Sequence, residues 1–148
     1  MEKTKQDYSA HIGADVSAQE AFKGINDVKE WWSEAMEGSS ARLNDVFTVR
    51  FGAEVYITLK VVEWVPDKKV VWLVTDCNKP WLKNKKEWNG TKIAFDISAE
   101  GDSARIGFTH IGLVPEVECY SVCSNAWDQY IKGSLFKLLT KEKGGLNL

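Results

Sequence analysis

The chain is short of the residues that ordinarily carry chemistry. It holds only two histidines and three cysteines. It has neither a Gly-x-Ser-x-Gly elbow nor a Gly-rich phosphate loop, so covalent hydrolysis and nucleotide binding have no motif to rest on. No apolar run approaches the roughly 18 residues of a membrane-crossing helix. The opening residues 1–8 are polar, unlike a secretory signal, so no membrane span is expected and the cytoplasm is the expected location. Cationic excess is also missing. Lys and Arg total 19 against 21 Asp and Glu, a formal charge of -2, which argues against a partner bound through nucleic-acid phosphates. An odd number of cysteines without framework spacing fits a reducing compartment and free thiols. Cys119 and Cys123, four positions apart on a helix, run parallel and suit a disulfide poorly. Even with His110 they are too sparse for a metal cluster, so neither metal nor cofactor is expected and small core residues are the simpler reading.

What the chain does have is apolar periodicity. At 148 residues and 44% hydrophobic content it fits one domain spanning residues 1–148. Ile93, Phe95, Ile97 and Ala99 alternate, and Ala104, Ile106, Phe108 and His110 repeat that period after Gly101-Asp102. Glycine first in a two-residue turn suits type II′. Pairing Glu100 with Ser103 sets Ala99 against Ala104, Ile97 against Ile106, Phe95 against Phe108 and Ile93 against His110, so the apolar faces coincide.

Upstream, residues 8–14 read as an opening strand, and Ser17 with Glu20 reads as a capping box for a first helix ending near Ile25. A second short helix carries Val28, Trp31 and Trp32, with Gly38 as its stop. Residues 45–51 alternate with Phe47, Val49 and Phe51 on one face, and Val55, Ile57, Leu59 and Val61 answer them across Gly52-Ala53-Glu54. A turn at residues 66–69 leads into an apolar strand over 70–75, whose buried face periodicity leaves open. Residues 76–90 read as a long loop. The last helix starts at Val114-Pro115-Glu116, with Glu116 and Glu118 near the positive end of its dipole, and ends near residues 141–144. About 25 residues make a rod of roughly 38 Å. Its apolar stripe is Val117, Tyr120, Cys123, Ser124, Trp127, Ile131, Leu135 and Leu138, and Gly133 implies close packing or a bend.

This order is α+β: a strand, two short helices, a curved antiparallel sheet of about six or seven strands in all, and a long C-terminal helix gripped by the sheet. On Glu30-Trp31-Trp32, on residues 88–95, and on residues 108–113 followed by a helix with Cys119, Trp127 and Tyr130, the chain resembles the START-like superfamily. That superfamily is also known as SRPBCC, with the Bet v 1 fold, and the closer resemblance is to the branch related to the activator of heat-shock protein 90 ATPase. The resemblance covers nearly the whole chain. It implies a helix-grip fold with a cavity between sheet and helix, a long connection over residues 79–88 near the cavity mouth, and a stress or chaperone-related setting. It does not fix an activity.

A strongly curved sheet is not filled completely by one helix, so the expected cavity is lined by Trp32, Phe47, Val49, Phe51, Ile57, Leu59, Phe95, Ile97, Phe108, His110, Tyr120, Cys123, Trp127 and Ile131. The alternative is a core packed shut by the same aromatics. Alternation turns His110 inward. It is either a group that orients a ligand or acts as acid or base, or a core histidine satisfied by Tyr120, Ser124 or a backbone carbonyl; the latter is favoured, because buried polar groups are ordinarily paired. Only one of Trp31 and Trp32 is expected at the cavity mouth. In the loop, Trp81, Lys83, Lys85, Lys86 and Trp88, with Lys79, form either a lid with solvated lysines or a partner-binding edge.

Three functions follow. The first is a noncatalytic binder of a hydrophobic or aromatic small molecule. The second is a protein-interaction module of the chaperone-activating kind, with a chaperone protein as partner. The third is a lyase, cyclase or hydrolase using His110 as acid or base. A monomer or a weak dimer is compatible with all three.

Overall fold

A computed structural model describes residues 7–144 except 53 and 116, with side chains described to residue 140. Strands β6 (Lys92–Glu100) and β7 (Ser103–Ile111) close on Gly101-Asp102 in the expected register, with Phe95 opposite Phe108 and Ile93 opposite His110. Gly101 takes φ +64°, the left-handed value that a hairpin of this hand demands at its first turn residue. Strand β1 (Tyr8–Ala14) pairs antiparallel with β7. On the other side β5 (Lys69–Asn78), β4 (Val55–Val65), β3 (Val46–Phe51) and β2 (Met36–Gly38) complete a seven-stranded antiparallel sheet in the order β1-β7-β6-β5-β4-β3-β2.

Curvature has an identifiable origin. Between β4 and β5 the register slips twice, leaving Thr75 extra on one strand and Val62 extra on the other. Each irregularity bends its strand and increases the local twist, so the sheet wraps. The same slip resolves the side of β5 that its apolar run left open. Val70, Trp72 and Val74 enter the concave core, with Trp72 fully buried.

Helix α1 (Ala18–Asn26) follows the first strand through the expected capping box: Glu20 N donates to Ser17 Oγ at 3.0 Å, and Ser17 N donates to Glu20 Oε1 at 3.0 Å. Helix α2 (Val28–Trp31) is shorter than expected, and Gly38 does not end it. Gly38 lies in β2, at φ +93°, where a Cβ would stand 2.3 Å from the Val46 carbonyl oxygen. Glycine is needed there so that the edge strand can approach its neighbour, and a close approach of this kind is invisible in a one-dimensional pattern.

The terminal helix also differs from expectation in three places. It begins at Tyr120, after turns in which Val117 N donates to the Val114 carbonyl and Tyr120 N to the Val117 carbonyl; Glu116, expected at the helix start, lies outside the described residues. It continues as α3 (Tyr120–Asp128), a π-helical segment (Gln129–Leu135) and α4 (Phe136–Gly144). Gly133 sits in the π segment with open space around it, so close packing does not explain it. The π segment explains the buried stripe. Cys123, Trp127, Ile131, Leu135 and Leu139 are buried at a constant spacing of four. In a pure α-helix each step of four drifts about 40° around the axis, and the wider π turn winds back part of that drift. Leu139 therefore takes the core position expected for Leu138, which is half-buried. The helix is further tied to β1 by a hydrogen bond from the Tyr8 hydroxyl to Asp128.

Two glycine substitutions should move stability in opposite directions. Gly38→Ala forces a side chain into backbone at a left-handed φ and should cost roughly 2 kcal/mol or more. Gly133→Ala adds a methyl into open space on a helix and should gain about 0.5–1 kcal/mol. Urea denaturation of the two variants beside the parent checks both signs.

Candidate functional site

The site lies where the loop over residues 79–91 meets the start of α3. Both ends of this contact are charge-assisted. Glu87 accepts from the backbone amides of Glu118 at 2.9 Å and Cys119 at 3.0 Å, and Glu118 accepts from the amide of Lys83 at 2.9 Å. These two amides lie just before the helix, and a carboxylate from a distant segment satisfies them. Glu118, expected as a dipole partner, instead holds the loop.

The loop tryptophans divide. Trp88 is buried and stacks on Trp127 with centroids 5.9 Å apart, whereas Trp81 is 51% exposed. The lysines divide as well. Lys83 and Lys85 are exposed, and Lys86 is tied to Asp76 at 2.9 Å and to the Tyr56 hydroxyl at 3.0 Å. Those contacts hold the Asp76 carboxyl below its usual range, the Lys86 bond first and the Tyr56 bond second. Lys79, grouped with the solvated lysines on sequence, is 5% exposed. Its ammonium lies 3.9 Å from the Trp88 ring centroid and 5.2 Å from that of Trp81. Burial pushes it down to about 8, opposed by the nearby Cys77 and Glu87.

Between this loop, the β3–β4 end of the sheet and α3 is a cavity of about 270 Å³. Of the residues expected to line a cavity, Trp32, Phe51, Ile57, Cys123 and Trp127 do so, and Trp81 and Trp88 of the loop join them. Phe47, Val49, Leu59, Phe95, Ile97, Phe108, His110 and Ile131 are instead buried in the core beneath, and Tyr120 is half-buried without reaching the cavity. Among the described residues the concave face is thus largely packed shut, and a hollow remains at its β3–β4 end. Trp32 marks the division, stacked on Trp72 at 6.0 Å and tilted against Trp127 at 5.1 Å. Its neighbour Trp31 lies in the core and donates from Nε1 to the Ile25 carbonyl.

Five lining residues were not anticipated: Val55, Lys79, Val122, Ala126 and Tyr130. Three of them had a readable signal. Val122, Ala126 and Tyr130 repeat every four residues, one position before Cys123, Trp127 and Ile131, and so form a second stripe beside the first. Lys79 had none, because the extra residue Thr75 changes the phase of β5 before the chain reaches it.

His110 is fully buried, with partners other than those expected. Trp127 Nε1 donates to its Nδ1 at 3.0 Å, which fixes the proton on Nε2. That Nε2–H donates to Thr91 Oγ1 at 2.8 Å, and the Thr91 hydroxyl donates to the Trp88 carbonyl at 2.7 Å. Trp88 also meets the imidazole edge-on at 4.4 Å. Burial first, and the charge of Lys79 second, lower the imidazole to about 3. Both nitrogens are engaged and the ring is neutral, so it has no lone pair to offer a substrate. His11 is exposed.

The two helix cysteines require a correction. Cys119 and Cys123 are joined as a disulfide with Cα atoms 5.4 Å apart. That separation lies within the bridging range, and Cys119 is the residue before the helix, so its bond direction is not fixed as inside one. Cys77 is a buried free thiol, raised by desolvation. Among the described residues no three His, Cys, Asp or Glu side chains gather to hold a metal ion. Among the same residues no helix is long and apolar enough to cross a membrane.

No protein-family model matches the chain, and no curated protein matches it in sequence. Solved structures do match. The Aha1 dimer from Colwellia psychrerythraea is 21% identical with a TM-score of 0.73, over 94% of this chain and 99% of that one. A protein of Mesorhizobium loti is 12% identical with a TM-score of 0.75, over 95% and 100%. DynU16, a protein of the dynemicin biosynthetic locus, is 13% identical with a TM-score of 0.65, over 94% of this chain and 48% of that one. Likeness at these identities speaks to architecture, and with the seven-stranded grip around a terminal helix it establishes that the chain has the START-like helix-grip fold of the Bet v 1 type.

Proposed function

We propose that this domain binds a small, largely aromatic molecule in the cavity beside Trp32, without transforming it. The observation that carries the reading is the lining. Six aromatic side chains, Trp32, Phe51, Trp81, Trp88, Trp127 and Tyr130, surround about 270 Å³. An apolar cavity of about 150 Å³ accommodates a benzene, so this one has room for a ligand of one or two rings rather than a lipid tail. The exposed Trp81 and Val122 mark its mouth. Noncatalytic binding is supported by the engaged nitrogens of His110, the one residue considered as acid or base.

The test is quenching of tryptophan fluorescence by the neutral dye N-phenylnaphthylamine. Saturable quenching at one dye per chain is expected, and Ala126→Phe, which fills the cavity from the helix, should abolish it while the circular dichroism stays unchanged. Quenching that does not saturate, or that ignores the Phe substitution, overturns the proposal.

A second reading, a protein-docking edge like that expected of chaperone activators, draws on the half-exposed Trp81 beside exposed Lys83 and Lys85 and on the likeness to the Aha1 structure. The two readings separate on the same variant. Filling the cavity removes ligand binding but leaves docking through the outer face of Trp81 intact.

A further inference from the structure

Building on the ligand-binding reading above, we infer that the ligand is an acid: an aromatic body carrying a carboxylate or similar oxyanion that pairs with the Lys79 ammonium.

Among its described lining residues the cavity holds one cation, Lys79, and no anion. An ammonium carries three N–H donors, yet Lys79 Nζ has no hydrogen-bond acceptor and no carboxylate within salt-bridge reach among the described residues. The acid close enough to influence it, Glu87, has both oxygens committed to the amides of Glu118 and Cys119. The faces of Trp81 and Trp88 offset part of the ammonium's lost hydration. They accept no conventional hydrogen bond. A buried cation left without a counterion is unfavourable, and an entering anion supplies both the missing charge and the missing acceptors. The rest of the lining fits the apolar body, since among the described residues no other charged side chain lines the cavity. A neutral ligand would cover the ammonium and leave it unpaired, so discrimination against it is built into the site.

Binding of this kind is coupled to the lysine proton. The titratable groups around Lys79 are Cys77 on β5, Glu87 on the loop, His110 on β7 and Tyr130 on the helix. Cys77 and Tyr130 are both raised by desolvation, and His110 is neutral, so above neutral pH Lys79 is the first of these buried groups to change charge.

The experiment compares naphthoate with naphthamide, which share rings and differ in charge, by isothermal titration against the parent and Lys79→Met. The parent should prefer naphthoate by at least about tenfold near neutral pH. Lys79→Met should lose that preference while binding naphthamide at least as tightly as the parent, which also shows that its cavity is intact. Raising the pH from about 7 to about 9 should erode the advantage of the acid but not the binding of the amide. Equal affinity of the parent for acid and amide overturns the inference and leaves the ligand-binding reading standing. Failure of both naphthalenes, together with failure of the neutral dye, overturns both.

Discussion

Trp127→Ala should bring the domain to the edge of unfolding. The indole is 1% exposed and touches four other rings besides His110: Trp32 at 5.1 Å, Phe108 at 4.6 Å, Trp88 at 5.9 Å and Tyr130 at 6.3 Å. Truncating a buried tryptophan of this kind costs about 3–5 kcal/mol. Here the loss has a second part, because the indole N–H is the donor to His110 Nδ1, and an orphaned buried acceptor costs about 1–3 kcal/mol more. The sum is comparable to the entire stability of a domain this size, roughly 5–15 kcal/mol. Urea denaturation should therefore show a midpoint near zero denaturant, or no folded baseline. Trp127→Phe weights the two parts differently, since it keeps a six-membered ring and removes the donor with part of the ring volume; a loss intermediate between the parent and the alanine variant, at least about 1–3 kcal/mol, is expected. If the alanine variant unfolds within about 1 kcal/mol of the parent, the residue is not the keystone between sheet, loop and helix that its contacts describe.

The place of Trp127 also shows which features could be read in the chain and which could not. The β6–β7 register was legible because alternation has a period of two and the turn admits one pairing without flipping a face. The pairing of Phe47 with Leu59 and Val49 with Ile57 followed in the same way. Helix α1 declared itself through Ser17 and Glu20, two residues whose side chains and amides satisfy each other locally. What failed was non-local. Strand β2 exists because Gly38 lets it approach Val46, and the turn before α3 is held by Glu87, which accepts from the amides of Glu118 and Cys119 from more than 30 positions upstream. The π segment gives no local signal except Gly133, which suggested close packing or a bend without telling which. The inward direction of His110 was legible from alternation, but its partners were not. Thr91 and Trp127 reach it from a loop and a helix that only the finished fold brings together. The cavity follows the same logic. Its aromatic character could be foreseen, but its confinement to the β3–β4 end depends on how far Phe95, Phe108 and Trp72 fill the rest, and that is a matter of packed volume rather than pattern.

Acid should destabilise the domain through His110 well before most carboxylates are neutralised. In the folded state the imidazole lies at about 3, against 6.5 when exposed. The group binds its proton more tightly in the unfolded chain, so between these values the unfolded state holds more protons and stability falls as pH falls. The contribution is fully present above 6.5 and is lost progressively as pH drops toward about 3, at on the order of 1 kcal/mol per pH unit. Asp45 and Asp76 also have lowered values and lose their contribution in acid, so the parent's slope alone does not isolate the histidine. The comparison with His110→Gln does. Both proteins keep the same carboxylates and the exposed His11, and only the parent keeps a buried imidazole whose Nδ1 accepts from Trp127 and whose Nε2–H reaches Thr91. Unfolding free energies from urea titrations at steps between about pH 7 and pH 4.5 should fall more steeply for the parent, the gap in slope opening below about pH 6.5. A glutamine variant that is less stable at neutral pH but flatter in acid is the expected pattern. Parallel slopes for the two proteins would mean that the imidazole takes up its proton in the folded state without penalty, and the neutral, fully bonded ring between Trp127 and Thr91 would then be the wrong description of the core.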